Sequence, residues 1–321
     1  MFKKLLLSTF LLFNYSSFAE EQKKLVIAIG QPVGGGHDVA TRIIAKHIVK
    51  YIPNTYVVVE NHPGADSLAL LRKIDTTFPK DGTYILNFNT GLIVDSYLEN
   101  KHSLNFKNYN WIGSSSKNNN VCFISSKIPI KSFEDLINYK EKLYFGAVSE
   151  RDSPWIYTKI LQKFTSNSQI VLGFKNLSEA YLAAQRGEVG GACGQWGPST
   201  VNLVEKGILT PIISFSNKLV DPPSGITYFK DLSLNNEQKI IINFFNEISD
   251  LYRPYIMSKD VPEDVVLKIR AAFNSTMIDE EFLADNKKVS IPIEPTLPDR
   301  VPDILDKLSK VDKNKIIDYL K

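Results

Sequence analysis

The apolar positions of the chain fall into short runs bounded by turn residues, and the runs alternate between two periods. Leu25-Val-Ile-Ala-Ile29 is a continuous apolar run that reads as a buried strand. It passes through Gly34-Gly-Gly36 into a segment from Val39 to Tyr51, where Ile43, Ile44, Ile48 and Tyr51 recur at helical spacing. Tyr56-Val-Val-Val59 is again strand-like, Asn61-His-Pro-Gly64 and Lys80-Asp-Gly82 are turns, Ser67 to Ile74 is a short helix, and Thr83 to Phe88 is a third strand. Strands alternating with helices in this way imply a parallel sheet covered by helices.

A second unit repeats this logic. Val121 to Ser125 reads as a strand, Ser132 caps a helix from Phe133, and Leu143 to Ala147 is a strand. Ser153-Pro154 places serine at the cap and proline in the first helical position, opening a helix that carries Ile156, Ile160, Leu161 and Phe164. Gln169 to Phe174 is a strand, Ser178 to Arg186 a helix ended by Gly187, and Leu209 to Phe215 a strand. Gly190-Gly-Ala-Cys-Gly-Gln-Trp-Gly-Pro-Ser199 reads as a glycine-rich loop entering a helix at Pro198. A polar stretch precedes Ile241 to Ile248; Arg253 to Met257 then reads as a strand, and helices follow from Pro262 and after Pro302.

Composition adds compartment and size. Residues 1–19 open with Lys3 and Lys4, continue through an apolar run and close on Ser17-Phe-Ala19, the pattern of a cleavable signal peptide, so the protein is expected to be exported. The formal charge of the whole chain is only +3, which argues against nucleic acid as a partner. A chain of 321 residues that is 43% hydrophobic exceeds the usual size of a single core, so two domains are expected. Cys122 and Cys193 have no zinc-site spacing, and the sequence leaves open whether they pair.

The strand, glycine loop and helix around residues 33–38 carry the strongest chemical signal. Glycine lets the backbone turn tightly and approach a ligand, and the first amides of a helix point outward with the positive end of its dipole. Val33, Gly34, Gly35, Gly36, His37 and Asp38 are therefore candidates for a seat that takes a carboxylate or phosphate without a lysine, with His37 either a ligand contact or a cap. The spacing fits neither a dinucleotide fingerprint nor a P-loop. A matching strand-to-helix loop adds Ala147, Ser149, Arg151, Asp152 and Ser153, in which Arg151 either reaches a ligand or pairs with its acidic neighbours. Asn89 and Thr90 follow the third strand at the edge where open α/β proteins bind ligands. Gln195 and Trp196 offer a further wall, with Trp196 either an aromatic lid or a core residue. Ser114-Ser-Ser-Lys117 matches Ser-x-x-Lys without its companion boxes, and the four histidines form no metal-ligand pattern, so neither an enzyme nor a metal or other cofactor is expected.

These segments resemble the extracytoplasmic solute receptors of tripartite tricarboxylate transporters, the Bug-type binding proteins. The resemblance rests on Pro32-Val-Gly-Gly-Gly-His-Asp38 with Ala40 and Arg42, on Val58-Val-Glu-Asn-His-Pro-Gly-Ala65 and on Asp81-Gly-Thr-Tyr-Ile-Leu86, in order and at family spacing. Pro129 to Leu136, Tyr144 to Ala147 and Gly173 to Asn176 extend it across the second unit. It implies an α/β, two-lobed type II periplasmic-binding-protein fold with a ligand cleft between the lobes, the first lobe built from 20–124, the second from 125–250, and 251–321 returning to the first. It also implies a periplasmic monomer that captures a small organic anion, a di- or tricarboxylate or an aromatic acid, and delivers it to membrane permease subunits. In the family the proximal carboxylate is held largely by backbone amides and waters of the loops matching 33–38 and 147–153. The second of these loops departs from the family in being Ser-Glu-Arg-Asp-Ser rather than small and glycine-rich. A sensor presenting the same cleft to a membrane kinase is the alternative of another class, and a periplasmic hydrolase is a weaker one because no nucleophile, base and orienter assemble from the sequence.

Overall fold

The computed structural model describes residues 22–100, 102–150, 152–219 and 221–321. The expected signal peptide and Arg151 lie outside the described residues. Strands β1 (Lys23–Ile29), β2 (Thr55–Asn61), β3 (Tyr84–Asn87) and β4 (Asn110–Ser116) alternate with helices α1 (Gly36–Ile48), α2 (Leu68–Thr76) and α3 (Gly91–Leu98). Next come β5 (Asn120–Ser125), α4 (Phe133–Asn138), β6 (Leu143–Gly146), α5 (Ser153–Gln162), β7 (Ser168–Val171), α6 (Leu177–Arg186), β8 (Gly191–Gln195) and α7 (Pro198–Glu205). The chain continues through β9 (Leu209–Ser214), β10 (Thr227–Tyr228), α8 (Asn236–Ser249) and β11 (Tyr252–Met257). It ends in α9 (Glu263–Met277), α10 (Glu280–Lys288), α11 (Val301–Lys310) and α12 (Lys313–Leu320). None of the described helices is long and apolar enough to cross a membrane.

Two sheets result, one for each lobe. The first has the order β2-β1-β3-β11-β4 and the second β10-β9-β5-β8-β6-β7. β1 runs parallel to β2 and β3, whereas β11 is antiparallel to both its neighbours, as β5 is in the second sheet. The antiparallel strands are those entered by crossing from the other sheet. The chain crosses first at residues 117–119, ahead of the 124/125 boundary expected from the sequence, because β5 is a strand of the second sheet. It returns between α8 and β11.

The crossings are bonded to each other. Asn118 donates its backbone N–H to the Ser249 carbonyl at 2.9 Å, and the Asp250 carbonyl accepts from Ser114 Oγ at 2.9 Å and from Thr296 Oγ1 at 2.6 Å. Lys117 Nζ lies 3.0 Å from the Asp250 carboxylate. Ser114 and Lys117 are thus committed to the crossing. α12 packs on α3 of the first lobe and on α5 and α8, and Lys163 lies over the Tyr319 ring at 5.1 Å.

Two local readings are corrected. Residues 191–195 form a strand in the middle of the second sheet rather than a loop: a Cβ at Gly191 would collide with the Phe123 carbonyl oxygen, and one at Gly194 with the Leu177 and Tyr181 side chains. The glycines there serve close packing, which breaks the apolar signature a strand normally carries. The cap of α5 is Asp152, not Ser153; its carboxylate accepts from Trp155 N at 2.8 Å.

Cys122 faces Cys193 directly in the β5–β8 register, both side chains are fully buried, and their sulfurs are joined in a disulfide. A closed loop of this size, 71 residues of separation, contributes about 4 kcal/mol in the chain-entropy account. Replacing both residues (Cys122→Ala with Cys193→Ala) is expected to lower the unfolding free energy by about 2–4 kcal/mol in denaturant titration. A wild-type midpoint that does not move when reductant is added would contradict the cross-link.

Candidate functional site

A cleft of about 560 Å³ opens between the sheets, walled by residues of both lobes and of the crossing segments. The first lobe contributes Gln31, His37, Asp66, Asn89, Thr90 and Asp95; the second contributes Ser149, Glu150, Asp152, Ser153, Tyr157 and Gln195. Asn118, Ser249 and Tyr252 stand at the crossing. Most of these residues lie just beyond β1, β3, β6 and β8, at the strand ends where α1, α3, α5 and α7 begin. Those strand ends are where open α/β sheets place their ligands.

The two loops expected to seat an anion already hold carboxylates of the chain itself. Asp38, 2% exposed, accepts from Gly34 N at 2.9 Å, Arg42 Nε at 3.0 Å and Asn61 Nδ2 at 2.9 Å. Burial pushes its pKa up, but these hydrogen bonds together outweigh burial and hold it below the ordinary value. Asp152 does the same in the second lobe, accepting from Val148 N at 3.0 Å and Ser149 N at 3.2 Å as well as capping α5. For Asp152 burial wins, and its pKa is raised. Each loop is therefore tied down by a carboxylate at the start of its own helix, and the amides of Gly34, Val148 and Ser149 are spent internally.

The remaining candidates divide between the cleft wall and the interior. His37, Asn89, Thr90, Ser149, Asp152, Ser153 and Gln195 line the cleft. Val33 is 71% exposed at the tip of its loop, and Gly34 takes the left-handed φ of +82° that the turn requires. Gly35 is the N-cap of α1, and Gly36 lies against the Arg253 guanidinium. Neither glycine is on the cleft wall. Ala147 is fully buried and bonded through its amide to Val171, so it positions the second loop from behind. Trp196 is a core residue, 6% exposed and stacked on Phe123 with ring centroids 6.2 Å apart.

His37 is fixed by its neighbours. Asn87 donates Nδ2 to the Pro254 carbonyl, so its Oδ1, 2.7 Å from His37 Nδ1, accepts and sets the tautomer. The neutral ring then keeps Nε2 as an acceptor. Burial first, and then the positive charge of Arg253, lower its pKa to about 4, against opposing pulls from Asn87 and Asp66. Asn89 donates to Asp66 Oδ1 at 2.6 Å and accepts from Gly91 N at 2.9 Å, holding the start of α3 against the loop before α2. Asp66 itself has a positive φ of 53°.

The sequence pointed to the loop that carries Glu150 and Asp152 but not to Asp66, Asp95 or one buried cation. Asp66, Asp95, Glu150 and Asp152 all border the cleft, and no lysine or arginine among the described residues does. Arg253, 5% exposed and at a φ of +53°, is buried behind the cleft. Its signal in the sequence is a single charge inside the apolar strand run Leu251 to Met257. Elsewhere, His47, Asp279 and Glu281 come close enough to share an ion. Lys50 Nζ already bridges those two carboxylates, at 3.0 and 2.7 Å, so the group is an ion-pair cluster between α1 and the start of α10.

A lowered folded-state pKa means that the unfolded chain binds the His37 proton more readily between pH 6.5 and about 4. Stability from this residue is therefore complete above pH 6.5 and is lost as pH falls toward 4. Thermal unfolding across that window is expected to show a shallower acid loss in His37→Gln than in the wild type; parallel curves would refute it.

No protein-family model matches the sequence, and no curated protein sequence matches it. Solved structures do match. The periplasmic binding protein BugD shares 15% identity over 94% of this chain and 96% of its own, with a TM-score of 0.64. A TctC solute-binding protein from Polaromonas, without ligand, shares 14% over 95% and 99%, with a TM-score of 0.72. MatC from Rhodopseudomonas palustris, with bound malate, shares 13% over 93% and 99%, with a TM-score of 0.64. At these identities the likeness establishes the fold: the chain has the two-lobed architecture of the periplasmic solute-binding proteins.

Proposed function

We propose that the protein is an extracytoplasmic receptor that captures a small organic carboxylate in the cleft between its lobes and delivers it to a tripartite tricarboxylate-type permease. The observation that carries this reading is the cleft itself. Its volume of about 560 Å³ suits a metabolite-sized solute, and both lobes, together with the strands that cross between them, contribute polar side chains to it. A solute touching both lobes favours their approach by its own contact energy, which is how hinged domains close on ligands. Its residues hold no assembled nucleophile, base and orienter among the described positions: Ser153 Oγ accepts from Asn118 Nδ2, and the Asp152 oxygens are engaged by backbone amides. Capture and release suit this chemistry better than turnover.

The lining also narrows the solute. Asp66, Glu150 and the Nε2 acceptor of His37 favour hydrogen-bond donors, so a carboxylate that also carries hydroxyl or ammonium groups fits better than a plain diacid. Export by the leader at residues 1–19 would place the protein where such solutes arrive.

Thermal unfolding of the purified protein against hydroxy acids, amino acids, plain dicarboxylates, aromatic acids and sugars tests the proposal. A solute present at about a thousand times its Kd adds about 4 kcal/mol, equivalent to roughly 6 °C in a chain of this size. A selective shift with hydroxy- or amino-carboxylates is expected. A shift confined to sugars, or none with any acid in protein freed of carried-over ligand by unfolding and refolding, would overturn it.

A further inference from the structure

The cleft described above is rich in acceptors, yet the proposed solute is an anion. The one buried guanidinium nearby is that of Arg253. It is 5% exposed, and no carboxylate among the described residues lies within ion-pair distance. Nη1 donates to Ser116 Oγ at 2.9 Å, Nε has no partner, and the Tyr252 ring lies 4.8 Å from Cζ. Nη2 is placed 3.2 Å from where a Cβ on Gly36 would stand, so the guanidinium abuts the N-terminus of the 13-residue helix α1.

Two positive ends are thus held against each other without a counter-charge, on a residue whose backbone is in the left-handed region. A buried charge lacking a partner is strongly unfavourable for the folded state, and such strain persists where function requires it. Beside it opens a second pocket of about 220 Å³. Arg253, Gln195, Ser199 and Ser290 supply its polar side chains, and none of its lining residues is acidic. Gln195 Nε2 is buried and also without a partner, and Gln195 stands in the wall of this pocket and of the main cleft.

We propose that this pocket is the oxyanion site of the receptor, in which Arg253 and Gln195 Nε2 take the solute's carboxylate while the rest of the solute occupies the acceptor-rich cleft. The site accepts a carboxylate or another small oxyanion of similar size. A Cβ at position 36 would crowd the guanidinium, which glycine leaves in place. The division of labour explains how a cleft bordered by four acidic residues still selects an anion. The proposal rests on the receptor reading for its physiological solute, but the pocket can be tested without it.

The test compares wild type, Arg253→Gln and Arg253→Lys by thermal unfolding and calorimetry, in buffer free of phosphate and sulfate, with malate and with sulfate as separate probes. Arg253→Gln is expected to bind malate about 30-fold more weakly or worse, as when one partner of a buried charge pair is removed. It is also expected to be at least as stable as wild type without ligand, since an uncompensated buried charge is gone. Arg253→Lys keeps the charge without the fork, and an intermediate loss is expected. Unaltered malate affinity in either variant overturns the pocket and leaves the receptor standing. An Arg253-dependent response to sulfate with none to any carboxylate keeps the pocket and sinks the carboxylate receptor. No Arg253-dependent response to either probe overturns the pocket.

Discussion

The architecture depends on one knot of hydrogen bonds where the chain passes between its sheets. The Asp250 carbonyl accepts from Ser114 and Thr296 side chains, Lys117 pairs with the Asp250 carboxylate, and Asn118 bonds the Ser249 backbone. Three separate stretches of sequence are tied at one point. Because β5 and β11 are each entered from that point, both insert antiparallel into sheets whose other strands largely run parallel. The cleft is the space this arrangement leaves open. Asn118, Ser249 and Tyr252, beside the knot, line it.

Around the cleft the helix starts perform two different tasks. Those of α1 and α5 are stitched to their preceding loops by Asp38 and Asp152, which fixes loop shape at the cost of the amides. Fixed loops leave less ordering to be done on binding. Arg253 is buried nearby, and burial first, then the Arg253 charge, lowers the His37 pKa and keeps the ring neutral. The acidic wall, the neutral histidine and the hidden guanidinium form one electrostatic arrangement, with acceptors in front and donors behind.

The alternation of strands and helices was legible in the sequence because each β–α unit buries one face and turns through polar or glycine residues into its helix, as at β1–α1 and at β6–α5, where Asp152 caps the helix. β8 was not, since the glycines that let it lie against Phe123, Leu177 and Tyr181 look like a loop when those neighbours are unknown. Seven of the candidate site residues, among them His37, Asn89 and Gln195, line the cleft because they follow strand ends, a property that sequence order conveys. Asp38, Ala147 and Trp196 sit in equivalent places along the chain but face inward, and only tertiary packing decides that. Arg253 is the opposite case: a lone charge in an apolar strand was visible, but what it faced was not.

Co-crystallisation with the acid that gives the largest thermal shift tests the central claim most directly. One solute molecule is expected between the lobes, in contact with residues beyond both β1 or β3 and β6 or β8, and with its side chain toward Asp66 and Glu150. A solute bound to one lobe alone, or in a groove that the crossing strands do not border, would contradict it.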